Sequence, residues 1–76
     1  MFIAVSNAHG WYKADTEKAA LDGALDNSVY RGPDLRIKVW DCLSEAYCDD
    51  HGTPVGVLSD PVGREFKRQG KGWTPV

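Results

Sequence analysis

The feature that most constrains this chain is the run Ala14-Asp15-Thr16-Glu17-Lys18-Ala19-Ala20-Leu21-Asp22-Gly23-Ala24-Leu25-Asp26-Asn27, set behind the short apolar segment Phe2-Ile3-Ala4-Val5. Asp15 or Thr16 can accept hydrogen bonds from the first free amides of a helix, and Glu17 complements the positive end of its dipole. Ala20, Leu21, Ala24 and Leu25 then recur on one stripe, so the helix is amphipathic and must lay that stripe on something apolar. Gly23 inside the stripe costs about 1 kcal/mol relative to alanine, which close packing or local tolerance must excuse. With only 76 residues in the chain, there is room for one such helix over one small sheet.

Length and composition set the other bounds. A single domain over residues 1–76 buries roughly 60–65% of its unfolded surface, so its core is small. The 42% hydrophobic content and the eight aromatics counted from three Trp, three Tyr and two Phe suit a globular fold rather than a disordered chain. No apolar run reaches bilayer length and no basic segment precedes a long apolar one, so the expected location is the cytoplasm, without membrane contact.

The segments between the turns read as strands. Phe2 to Ser6 is the first, followed by a turn at Asn7-Ala8-His9-Gly10 and by Trp11 and Tyr12 as the approach to the helix. The helix ends near Asn27, ahead of the turn Arg31-Gly32-Pro33-Asp34. In Leu35-Arg36-Ile37-Lys38-Val39-Trp40-Asp41 the apolar residues alternate, so Leu35, Ile37 and Val39 share the face that meets Leu21 and Leu25. Ala46-Tyr47-Cys48 continues as strand or irregular chain, Asp49-Asp50-His51-Gly52 turns, and Val55 to Leu58 forms a further strand. Pro54 and Gly56 mark that strand as an edge or a bulge. Beyond it, Asp60-Pro61 can either open a helix running toward Gly70 or form a turn with Val62-Gly63. The three glycines of this stretch favour the turn, then a strand at Arg64–Arg68, a second turn at Gln69-Gly70-Lys71-Gly72, and a last strand from Trp73. The expected fold is therefore α+β, an antiparallel sheet of four or five short strands in the order β-α-β-β(-β-β), with the helix on one face.

Residues that could carry chemistry are few. His9, Cys42, Cys48 and His51 are the soft ligands, and Cys48 and His51 form their one tight pair. Zinc sites usually present close pairs adding up to four ligands, so no metal or other cofactor is expected. A Cys–His nucleophile pair is available on paper, but neither a phosphate-binding glycine loop nor a nucleophile elbow accompanies it, and no enzyme is expected. Cys42 and Cys48 could face each other across a tight hairpin, although reduced thiols fit a chain without export features.

Charge is distributed in blocks. Residues 1–40 carry five acids and five bases, residues 41–60 carry Asp41, Glu45, Asp49, Asp50 and Asp60 with no Lys or Arg, and residues 61–76 carry Arg64, Lys67, Arg68 and Lys71 against Glu65. Alternation sets Trp40 opposite Ile37 and Val39, between Arg36, Lys38 and the basic tail. An exposed indole framed by cations has the composition of a protein-interface hot spot, and could also stack a nucleic-acid base. The expected partner-binding residues are Arg36, Lys38, Trp40, Arg64, Lys67, Arg68 and Lys71. The competing expectation is that Trp40 seeds a second small core under the C-terminal hairpin.

Two resemblances bear on function. The stretch Asp15-Thr16-Glu17-Lys18-Ala19-Ala20-Leu21-Asp22-Gly23-Ala24 resembles the helix entry of HicB-like antitoxins, with Asp15, Thr16, Ala20, Leu21 and Ala24 at the matching positions. The chain as a whole is similar in kind to small phage and mobile-element proteins that inhibit host machinery, including some anti-CRISPR proteins. That likeness implies a non-catalytic inhibitor that binds a host protein or defence complex in the host cytoplasm. The alternative it leaves is a small nucleic-acid-binding or antitoxin-like regulator, and a free sheet edge could pair two copies.

Overall fold

A computed structural model describes all 76 residues. Strands β1 (Phe2–Ser6) and β2 (Trp11–Ala14) form a hairpin, helix α1 spans Glu17–Asn27, and β3 (Ile37–Cys48), β4 (Pro54–Val57), β5 (Arg64–Gln69) and β6 (Gly72–Pro75) follow. The fold is α+β with an antiparallel sheet and one helix, as expected. It has one strand more than expected, because Trp11–Ala14 pairs with β1 instead of merely leading into the helix. The turn at Asn7–Gly10 makes this possible: His9 takes a φ of 65° there, closing the chain tightly enough to send Trp11 back along Val5.

The sheet runs β2-β1-β3-β5-β6, and β4 pairs with the far half of β3. Helix α1 enters where Thr16, in extended conformation, accepts a hydrogen bond from the Ala19 amide at 3.1 Å. It lays Ala20, Leu21 and Ala24 on Ala4, Ala8, Leu35, Ile37, Val39 and Phe66, with Leu25 and Trp73 at the margin. Small residues let the helix sit low on the β1–β2 hairpin. A Cβ on Gly23 would come within 2.1 Å of the Tyr12 ring, so close packing is what excuses that glycine.

Two buried serines finish the helix end. The Ser6 hydroxyl accepts the Ala8 and Gly10 amides at 3.1 and 3.0 Å and lies 2.7 Å from the Ser28 hydroxyl. Ser28 in turn donates to the Ala24 carbonyl at 2.7 Å, so the proton between the two hydroxyls must come from Ser6. Every buried polar side-chain atom of the molecule has a partner.

The opposite face of the sheet is closed by its own strand. A bulge between Cys42 and Tyr47 bends β3, and the β3–β4 hairpin folds over the back of β1. Ile3, Trp40, Cys42 and Ala46 form a second buried cluster there, flanked by Val5, Cys48 and Val57. Lys13 of β2 holds the bend, its ammonium donating to the Ser44 and Ala46 carbonyls at 2.6 and 2.8 Å. Carbonyls that the bulge removes from the strand ladder are satisfied in this way. The stretch after Asp60 is a turn followed by a meander, with no second helix. Cys42 and Cys48 lie on the same strand and are both free, so the hairpin that would have apposed them does not exist.

Candidate interaction surface

Alternation places Arg36, Lys38 and Trp40 away from the helix, as the sequence requires, but the indole is not on the surface. Trp40 is only 7% exposed. Its Nε1 donates to the Pro61 carbonyl at 3.3 Å, and Gly63, at a φ of 74°, lies so close that a Cβ there would sit 2.7 Å from the ring. The expected outward indole is therefore corrected: the loop after β4 seals it, since a ring this large loses more by facing water than the loop loses by ordering. Its cover is that loop and the β3–β4 hairpin rather than the C-terminal one.

The expected cations are divided between the two faces of the sheet. Arg36 and Lys38 border a shallow hollow of about 290 Å³ that also contains Glu65, which faces Lys38 across the β3–β5 pair. The pleat of β5 puts Lys67 on this side, whereas Arg64 and Arg68 point to the helix side. There Arg64 pairs with Glu17 at 2.6 Å and Arg68 with Asp22 at 3.3 Å. Arg68 also lies over the Trp73 ring, 5.2 Å from its centroid. Arg36 donates to the Pro33 and Leu35 carbonyls, and Lys71 stands exposed on the β5–β6 turn. Two of the seven residues thus clasp the C-terminal hairpin to α1 and one is sealed, while Arg36, Lys38 and Lys67 share the sheet face away from the helix with Glu65 among them and Lys71 stands on the β5–β6 turn.

Asp22 is the centre of that clasp. Its carboxylate accepts from Lys18 at 2.7 Å and from the Trp73 indole at 2.8 Å, contacts that hold its carboxyl below the usual range. The two thiols are shifted the other way. Burial raises Cys42, and burial together with the neighbouring Asp49 pushes Cys48 up to about 11. Both thiols are protonated at neutral pH, far from the low-pKa state that a thiol nucleophile needs. No three His, Cys, Asp or Glu side chains converge closely enough to hold a metal ion.

A different surface emerges on the outer side of the β3–β4 hairpin. Cys42, Ala46, Cys48 and Val57 face inward, leaving Leu43, Tyr47, Val55 and Leu58 outside with 40, 51, 38 and 55% of their surfaces exposed. Tyr47 and Val55 are directly opposed across the strands. The segment that carries them also carries Asp41, Glu45, Asp49 and Asp50, all exposed, and the half-buried Asp60. Sequence reasoning missed this surface because the bulge shifts the alternation of β3 partway along, and the only available signal was the one-signed charge of residues 41–60.

In comparisons with known proteins, no family model, curated protein or solved structure matches the chain.

Proposed function

We propose that the chain is a protein-binding module that acts by covering a surface of its partner, in the manner of a small stoichiometric inhibitor. The observation that carries this reading is the exposed, directly opposed pair Tyr47 and Val55 on the β3–β4 hairpin, with Leu43 and Leu58 also exposed on the same segment and all four absent from both buried clusters. Grouped apolar side chains rimmed by charge are the composition of a contact surface. The segment that bears them, residues 41–60, holds five acids and no lysine or arginine, so the complementary partner surface is apolar at its centre and basic around it, and the charges steer the encounter. A phosphate backbone would be repelled by the same acids, which favours a protein over a nucleic acid. The protonated thiols support binding rather than nucleophilic chemistry.

The test compares the wild type with a Tyr47→Ser, Leu58→Ser double variant against a partner captured on the immobilised chain and then purified. Both positions are outside the clusters, so the amide spectrum of the fold is expected to persist. Affinity is expected to fall by roughly tenfold or more, the loss typical of removing central aromatic and aliphatic anchors. Unchanged affinity in a folded double variant would exclude this surface. A log–log salt slope as steep as that of several phosphate contacts, measured with duplex or single-stranded DNA, would favour the nucleic-acid reading instead.

A further inference from the structure

The β1–β2 turn at residues 7–10 and the β3–β4 turn at residues 49–53 are some forty positions apart in sequence, yet they border one open groove of about 650 Å³. One turn contributes His9 with Trp11 beyond it, the other contributes Asp49, Asp50 and His51, and Val5 also lines the space. No lysine or arginine does. Trp11 is 37% exposed, belongs to neither buried cluster and borders the groove. Asp50 forms no ion pair within the chain and is exposed. Asp49 differs: one of its oxygens accepts the His51 and Thr53 amides, both at 2.9 Å, which shapes the turn and keeps the carboxyl ionised.

An exposed aromatic residue and two carboxylates bordering one groove, with no lysine or arginine in its lining and only His51 acting on Asp49 by charge, are complementary to a flat positive group. A guanidinium stacks on an indole and pairs with a carboxylate through its rigid fork, whereas an ammonium offers a compact, strongly hydrated charge. An anion would meet Asp49 and Asp50. The geometry points to this groove as the seat of an arginine side chain supplied by a protein partner. The inference rests on the protein-binding reading above and deepens it, since the groove shares the β3–β4 turn with the exposed hairpin face and draws on the same acidic segment.

The experiment titrates the full chain with the blocked peptide acetyl-Gly-Arg-Gly-amide and with its citrulline counterpart, which keeps the planar shape but carries no charge. Nitrogen–proton correlation spectra report the three indole N–H groups separately. Expected are shifts at the Trp11 indole and at the His9, Asp50 and His51 amides with the arginine peptide, and an affinity lower by roughly fivefold or more with citrulline. Asp50→Asn, at an exposed position that tolerates the change, is expected to weaken the arginine peptide by a similar factor. Trp11→Leu adds the stacking arm, and if it fails to fold the Asp50 variant still decides. Equal binding of both peptides, shifts that fall elsewhere, or an unaffected Asp50 variant would each overturn the assignment. Methyl glucoside serves as a neutral stacking ligand, and equal shifts with it would overturn the assignment as well. If the arginine peptide fails while partner affinity still depends on Tyr47 and Leu58, only the groove falls. If the peptide seats but that dependence is missing, the hairpin reading falls and the groove stands.

Discussion

The two faces of this sheet are closed by different means. On one, an 11-residue helix brings Ala20, Leu21 and Ala24 to a nine-residue cluster, and arginines from β5 clasp it to the strands. On the other, the sheet covers itself: β3 bends at a bulge, and four residues including Trp40 are buried beneath its continuation and the following loop. A helix satisfies its own backbone and needs only an apolar stripe to dock. A strand folded back on its sheet leaves carbonyls unpaired at the bend, and here a lysine from a neighbouring strand must supply donors. The self-made cover is therefore smaller, more dependent on single side chains, and open on its outer side.

This contrast can be broken most directly at the helix-side core. Leu21, 2% exposed, is expected to cost about 4 kcal/mol when replaced by alanine, and to lower the urea midpoint of helix and strand signals together. Trp40→Ala is expected to cost about 3 kcal/mol, with the loss concentrated in the hydrogen-exchange protection of residues 42–57 while α1 keeps its protection. If both variants unfold every element in one transition with the same loss, the two faces are not independent covers. A smaller effect is expected for Lys13→Met, which keeps the alkyl stem but removes both carbonyl contacts. About 1 kcal/mol, seen as roughly fivefold faster exchange across the β3–β4 hairpin with α1 unchanged, is the expected outcome.

The smallest effect concerns the clasp on the helix side. Lys18 and the Trp73 indole hold the Asp22 carboxyl below 3.8, so the folded state binds this proton less readily than the unfolded chain does. Its contribution to stability is present above about pH 4 and is lost as pH falls through the lower folded value. Urea melts between pH 6 and pH 2 are expected to show a shallower acid loss for Asp22→Asn than for the wild type. Parallel curves would show that the clasp adds nothing in solution, as many exposed ion pairs do.

Much of the helix side was legible because its signals are local. The cap at Asp15 or Thr16, the stripe through Leu21, and the alternation of Leu35, Ile37 and Val39 each follow from neighbouring residues; the structure places the cap on Thr16 and finds the others where expected. For residues 60–70 the prolines and glycines favour the turn and hairpin but leave a helix open, and the turn and hairpin are what forms. The strand at Trp11–Ala14 was harder to see, being four residues long and ending against the helix cap. On the back face, the bulge changes the phase of alternation inside β3, so Tyr47 could not be placed from Ile37. The candidate interface suffered accordingly: the direction of Trp40 followed from the pleat, but its cover did not.

The order of residues alone determined the capped helix, the inward side of the first half of β3, and the turns ahead of residue 60, because capping, pleat and backbone freedom act over a few residues. Only the tertiary structure decided that Trp40 is sealed, that Arg64 and Arg68 clasp α1, and that Trp11 and the turn bearing Asp50 share a groove. Those outcomes depend on which distant segments meet, and a bend in one strand is enough to redirect them. A side chain's direction is set by its neighbours along the chain, whereas its exposure is set by what folds over it.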